Sequence, residues 1–254
     1  MMDLGTLLAG VLGLSVGSFL NVCIARLPRG ESIFSPPSHC TACGLRIRWY
    51  DNVPILAYVW LRGRCRQCGS RFSVMYPLVE LLSGFMFVAA YGYYGPSVLL
   101  VSRLLFACAM IVLFVIDLQH RILPNVITLP GVAVGFAFSV FTEPGWVASL
   151  VGVLGGGGVL LAVSEIYLRV RGEEGLGMGD VKMLGMIGAF LGWKLMLLTL
   201  VLSSFLGSVV GVAMIVAKKG DLKYALPFGT FLAVAALFAS VMGEPIVRWY
   251  LSLY

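Results

Sequence analysis

Charge is scarce in this chain. Only 12% of its 254 residues are Asp, Glu, Lys or Arg, against 59% hydrophobic, and the mean hydropathy of +0.96 lies well outside the balance of a soluble domain. A cleavable secretory signal is not expected either. Met1-Met2-Asp3-Leu4 has no positive n-region and no small-residue cleavage site follows, so the first apolar stretch is expected to stay as a membrane span. No inverted repeat relates two halves of the chain, which weighs against the common transporter architectures.

What the chain does have is a succession of apolar windows, near 4–25, 76–95, 97–116, 125–142, 146–168, 181–192, 195–217 and 226–243. Most are long enough for a helix rising about 1.5 Å per residue to cross about 30 Å of hydrocarbon. The expected fold is therefore an all-α polytopic membrane protein of about eight transmembrane helices. The sixth window, about twelve residues long, is short for a span and reads as a half-helix or a span with a misassigned loop.

Basic residues orient these spans. Arg26, Arg29, Arg46, Arg48, Arg62, Arg64, Arg66 and Arg71 put the loop from about 27 to 75 in the cytoplasm and the N-terminus outside. Alternation then puts Arg121, Arg169, Arg171, Lys182, Lys218, Lys219 and Lys223 inside, leaving mainly Lys194 and Arg248 outside. The net charge of +6 is accounted for by basic loops beside anionic lipid, with no nucleic-acid partner expected.

The polar insert carries Cys40-Thr41-Ala42-Cys43 and Cys65-Arg66-Gln67-Cys68, two CxxC knuckles 21 residues apart. That spacing resembles a zinc ribbon. Four thiolates close a tetrahedral shell and leave no position for a catalytic water, so such a zinc is structural. A cytosolic loop disfavours disulfides, and about 50 residues with few apolar side chains need a staple to fold. His39 is a bystander on this reading, and Cys23 and Cys108 are small apolar fillers inside spans. Three segments are expected: 1–27 as the first transmembrane helix, 28–75 as the zinc-binding insert, and 76–254 as the remaining membrane domain.

Two acids stand out. Asp117 ends the third span, and Asp180 closes Gly177-Met178-Gly179-Asp180 at the start of another. A carboxylate beside a spanning segment is costly unless it faces water, a partner or a substrate. The alternation of spans brings both to the cytoplasmic side. Asp117 has Arg121 four residues on as a local partner, and Asp180 suits the N-cap of the helix that starts at Val181. Gly175, Gly177 and Gly179 remove side chains just upstream, so that an extended peptide can approach the backbone closely. Two carboxylates brought together can share a proton, one acting as base on a water while the other protonates or polarises a scissile amide. Helix dipoles assign the ionised role to Asp180 and the protonated role to Asp117. Glu173 and Glu174 lie beside this run and can steer a basic peptide towards it. Glu80, about one turn into the second span, is a candidate polar contact. Glu165 is set to pair with Arg169, and the run Gly155 to Gly158 marks a tight crossing or a flexible point.

Taken together, the motifs resemble the bacterial prepilin peptidase (type IV leader peptidase/N-methyltransferase) family. They are Gly17-Ser18-Phe19-Leu20-Asn21-Val22, the two CxxC pairs, Tyr76-Pro77-Leu78-Val79-Glu80, Asp117 with Pro124-Asn125, Gly177-Met178-Gly179-Asp180-Val181-Lys182, and Pro227-Phe228-Gly229. The resemblance covers nearly the whole chain, with one departure: Thr41 stands where many members have proline. It implies an enzyme of the bacterial inner membrane that cleaves the basic leader from prepilins or pseudopilins with Asp117 and Asp180. It also implies a second activity, N-methylation of the new amine with S-adenosylmethionine, with Glu80 as a candidate for that region. No glycine-rich loop between a strand and a helix marks a methyl-donor pocket. A proton- or cation-coupled transporter and a membrane scaffold docking through its zinc ribbon are the other two classes the residues allow. The oligomeric state is open.

Overall fold

The computed structural model describes residues 3–172, 177–217 and 226–252. Helices dominate: α1 (Leu4–Arg26), α2 (Leu56–Trp60), α3 (Met75–Tyr94), α4 (Val98–His120), α5 (Asn125–Ser139), α6 (Trp146–Arg171), α7 (Met178–Val216) and α8 (Phe228–Leu251). Six of the described helices are long and apolar enough to cross a membrane, as expected for a multi-pass protein. Two compact units divide the chain, residues 1–100 and 101–254.

In the first unit α1 packs on α3. Lipid tails are as apolar as leucine, so close backbone approach, rather than hydrophobic burial, draws such helices together. Gly17 shows how: a Cβ there would stand 2.7 Å from the Cα of Glu80. Asn21 then donates its side-chain amide to the Tyr76 carbonyl at 2.9 Å, while Leu4, Leu7, Leu8, Val11 and Leu12 stay exposed on the outer face of α1. Asp3 caps α1 by accepting the Thr6 N–H at 2.9 Å.

The insert between these helices is built on two matching turns. Cys40 N–H donates to Leu45 O and Gly44 N–H to Cys40 O; Cys65 N–H donates to Ser70 O and Gly69 N–H to Cys65 O. Each turn closes on a glycine directly after the second cysteine, Gly44 and Gly69, both at φ 72°, a left-handed conformation that costs glycine least. Arg66 grips Asp51 through two nitrogens, with Nε 2.9 Å from Oδ2, and so ties the second turn to the short 3-10 segment Trp49–Asn52. The Arg66 hydrogen bonds hold the Asp51 carboxyl below the usual carboxylate range.

In the second unit, α7 resolves the short sixth window. Its 39 residues would reach about 58 Å if straight, roughly twice the hydrocarbon thickness. The helix instead breaks at Gly192 (φ 76°, ψ 171°) and doubles back. Gly179 lies against Leu123, Gly192 against Pro144, Gly243 against Leu195, and Gly211 against Leu226, so residues 178–191 run away from the Asp117 end and residues 193–216 return to it. The sixth and seventh windows are thus two antiparallel helices joined by a single glycine. A break of this kind orphans the last carbonyls of the first half. Ser149 donates to Ala189 O at 2.8 Å and Arg103 to Phe190 O at 3.2 Å, which meets that need.

The core of this unit includes Phe106, Met110, Leu113, Met183, Leu184, Ile187, Leu232 and Ala236. Around it α6 and α7 touch backbone to backbone: a Cβ on Gly152 would stand 2.5 Å from the Gly188 carbonyl oxygen, and one on Gly156 2.9 Å from that of Leu184. Gly157 and Gly158 face open space. The first part of the glycine run is therefore a tight crossing.

Candidate functional site

Asp117 lies in the last turn of α4 and is buried, at 5% exposure. Its Oδ2 accepts two hydrogen bonds from one residue at the start of α8, the Thr230 N–H at 2.7 Å and the Thr230 hydroxyl at 3.0 Å. Gly229 makes room for this. A Cβ at that position would come within 3.0 Å of Asp117 Oδ2 and 2.9 Å of Leu123 Cδ1. Along the chain, Pro227-Phe228-Gly229 carries no sign of this use and Thr230 does not stand out from its apolar neighbours. The only local signal was a threonine at the mouth of a span, where an unpaired donor is expensive.

Asp180 is half-buried at the start of α7. The helix begins earlier than the apolar window suggests: Gly177 is its N-cap, and Asp180 is the third residue inside it. Its N–H donates to the Gly177 carbonyl at 3.0 Å and its Oδ2 would lie 3.4 Å from a Cβ on Gly177, so the acid sits over the first turn from within rather than capping it from outside. Lys182 donates to Asn125 Oδ1 at 2.9 Å, which ties the start of α7 to the start of α5. Leu123 joins the two acid-bearing regions, since Gly179 packs on its Cβ side and Gly229 on its methyl groups. The end of α4 and the starts of α5, α7 and α8 thus meet at one end of the unit, with both acids among them.

Gly177 is exposed at the N-cap, whereas Gly179 is packed against Leu123, where a Cβ would stand 2.9 Å from that residue's own Cβ. Glu173 and Glu174 lie outside the described residues. Glu165 pairs with Arg169 at 2.9 Å on an exposed face of α6. Glu80 is buried in α3 and accepts the Ile55 N–H at 2.8 Å.

The four insert cysteines converge. The Sγ atoms of Cys40, Cys43, Cys65 and Cys68 all lie within 4.8 Å of one another, and Cys40 and Cys68 are 3.8 Å apart. A tetrahedral ion with metal–sulfur bonds near 2.3 Å needs sulfur–sulfur edges of about 3.8 Å, so the cluster is sized for one ion. The Ser70 hydroxyl, with backbone N–H groups of Cys43 and Ala42, pulls the Cys40 thiol down to about 6, towards the thiolate a metal requires. His39 hydrogen-bonds the Pro37 carbonyl instead.

These features define a multi-pass membrane protein with a thiol cluster in one unit and, in the other, two acids on helix ends that converge on Leu123. The Bacterial Peptidase A24 N-terminal domain is matched over residues 11–94 and the Type IV leader peptidase family over residues 104–212. Among curated proteins, the prepilin leader peptidase/N-methyltransferase of Pseudomonas putida is 38% identical, the alignment covering 94% of this chain and 91% of that protein. That of Aeromonas hydrophila is 35% identical with the same coverage, and that of Myxococcus xanthus is 42% identical over 82% of this chain and 62% of its own length. No solved structure matches the chain. The chain belongs to the type IV leader peptidase family.

Proposed function

We propose that this protein removes the basic leader of prepilins or pseudopilins at the cytoplasmic face of the bacterial inner membrane, with its N-terminus outside, and methylates the amine so exposed. The observation that supports the first activity is the convergence on Leu123 of the start of α7, which carries Asp180, and the start of α8, which holds Asp117, with Thr230 donating twice to a single Asp117 oxygen. The names of the curated relatives carry the second.

Asp180 takes a proton from water, and the oxygen so activated attacks the carbonyl carbon of the scissile amide. Asp117 gives its proton to the carbonyl oxygen. Because both Thr230 donors engage Oδ2, Oδ1 is the atom suited to hold that proton. The C–N bond then breaks as the proton taken by Asp180 passes to the leaving nitrogen, and Asp117 recovers its own. Gly177 at the exposed N-cap offers room for the substrate backbone, and Glu173 and Glu174 add negative charge that suits a basic leader.

Cys40, Cys43, Cys65 and Cys68 hold a structural Zn²⁺, which staples the insert and takes no part in cleavage. S-adenosylmethionine is the methyl donor. Purified protein incubated with a prepilin-like substrate, with and without S-adenosylmethionine, should release a chain short of its leader and, with the donor, heavier by one methyl. Asp117→Asn and Asp180→Asn should each lower cleavage at least about a hundredfold. Full activity in either variant refutes the dyad.

A further inference from the structure

The insert, polar in composition, carries one apolar face that its own fold leaves exposed. In the short helix α2, Leu56, Val59 and Trp60 stand 70%, 67% and 82% exposed, and their spacing of i, i+3 and i+4 puts them on one side. Ala57, Tyr58 and Leu61 turn the other way, into a cleft shared with Asn21 of α1 and Tyr76 of α3. Three large apolar side chains aligned on an otherwise polar segment mark a contact surface.

The depth of α2 says what that surface meets. α3 has 20 residues, about 30 Å of helix, which matches the hydrocarbon thickness, so its first turns stand at the hydrocarbon boundary. α2 is fastened at that level. The Ile55 N–H, one residue before α2, donates to Glu80 Oε2 at 2.8 Å, and Glu80 is the sixth residue of α3, about 7.5 Å from its start. The Tyr58 hydroxyl reaches the Phe72 carbonyl, three residues before α3. Ile55 has φ 62° and ψ −54°, costly for a β-branched residue, and such strain persists only where the surroundings fix it. Here the bond to Glu80 holds the turn, and α2 lies beside the first turns of α3 instead of standing out into water.

We propose that α2 is an interfacial helix, its Leu56, Val59 and Trp60 face lying in the leaflet at the insert end of α1 and α3, with lipid as its partner. This placement requires only the spans and neither catalytic activity. Charge favours lipid: residues 27–75 hold seven arginines against two acids, one of which, Asp51, is taken by Arg66, and such an excess suits anionic headgroups. Tryptophan is the side chain best matched to the boundary between headgroups and acyl chains. Five residues alone would bind a bilayer poorly, but both ends of the insert are tied to spans, so the face is already held near the surface. Seated this way, α2 keeps the second cysteine turn, which begins at Cys65, beside the bilayer.

Trp60 reports its own surroundings. The full-length protein is placed in nanodiscs of phosphatidylethanolamine and phosphatidylglycerol, with or without bromine on the upper acyl chains, and the emission lost in Trp60→Phe isolates this residue from the other four tryptophans. That difference should fall at least about twofold with brominated lipid and barely respond to iodide, because an interfacial face sits about 5–10 Å into the headgroup–acyl boundary. Trypsin gives a second reading. Cleavage after Arg62 in the same nanodiscs should be at least about tenfold faster in Trp60→Asp, whose carboxylate opposes insertion. Because Trp60 is exposed, that variant should keep the parental thermal midpoint in detergent. Quenching by iodide without quenching by bromine places the face in water, and protection from both places it under protein. Either result overturns the proposal, as does a Trp60→Asp protein cut no faster than the parent.

Discussion

Thr230 offers the most discriminating test of the aspartate site. Thr230→Val keeps the side-chain volume and the backbone N–H that reaches Asp117 at 2.7 Å, and deletes only the hydroxyl at 3.0 Å. A hydrogen bond to a carboxyl that is protonated, as the mechanism requires of Asp117, contributes about 0.5–1.5 kcal/mol. The contact is buried, with Asp117 at 5% and Thr230 at 7% exposure, so water does not replace the lost donor. If the bond is needed to hold the carboxyl in its reacting orientation, kcat for leader cleavage falls about two- to tenfold at 1.36 kcal/mol per decade, and KM stays near the parent value. Thr230→Ser restores the hydroxyl and should recover most of the rate. Steady-state kinetics on a prepilin-like peptide in detergent or nanodiscs measures all three proteins. The reasoning fails if the valine variant cleaves at the parental rate, or if the serine variant is as damaged as the valine one.

Other expectations follow from the remaining packing and charge. Cys40→Ser or Cys65→Ser removes one of four thiolates clustered within 4.8 Å; elemental analysis should find the zinc content of the purified variant sharply reduced and the insert newly open to protease, and unchanged metal content would remove the zinc assignment. The Asp51 carboxyl is held below its ordinary range by Arg66, so its folded-state value lies below its unfolded one. The stability it contributes is present above about pH 4 and is lost as the pH falls through the folded-state value. Protease resistance of the parent insert should therefore decline in acid more steeply than that of Asp51→Asn, and equal slopes would contradict this. Gly152→Leu forces a side chain where a Cβ alone would sit 2.5 Å from the Gly188 carbonyl oxygen. It should cost at least about 1–3 kcal/mol, read as a lower thermal midpoint in detergent, whereas Gly157→Leu, facing open space, should be nearly neutral.

Much was legible along the chain because membrane insertion reads local properties. Runs of apolar residues mark spans wherever hydrocarbon thickness sets the length, and the eight windows all correspond to helical segments. The CxxC pairs were legible for a similar reason: a knuckle is a short-range turn that brings two thiols to one side, and only the meeting of the two knuckles needed tertiary structure. Asp117 and Asp180 stood out because charge beside an apolar span is expensive.

Other features had no local signature. Hydropathy cannot distinguish a misplaced loop from a one-residue reversal, and only the packing of Gly192 on Pro144 and of Leu195 on Gly243 resolves α7 into two antiparallel halves. Thr230 meets Asp117 across 113 residues, and the strained Ile55 reaches Glu80 across 25. Sequence therefore specified which residues are too polar for their surroundings, because solvation is a property each residue carries alone. The fold decided which partner satisfies each one, because a hydrogen bond requires two groups to arrive at the same place.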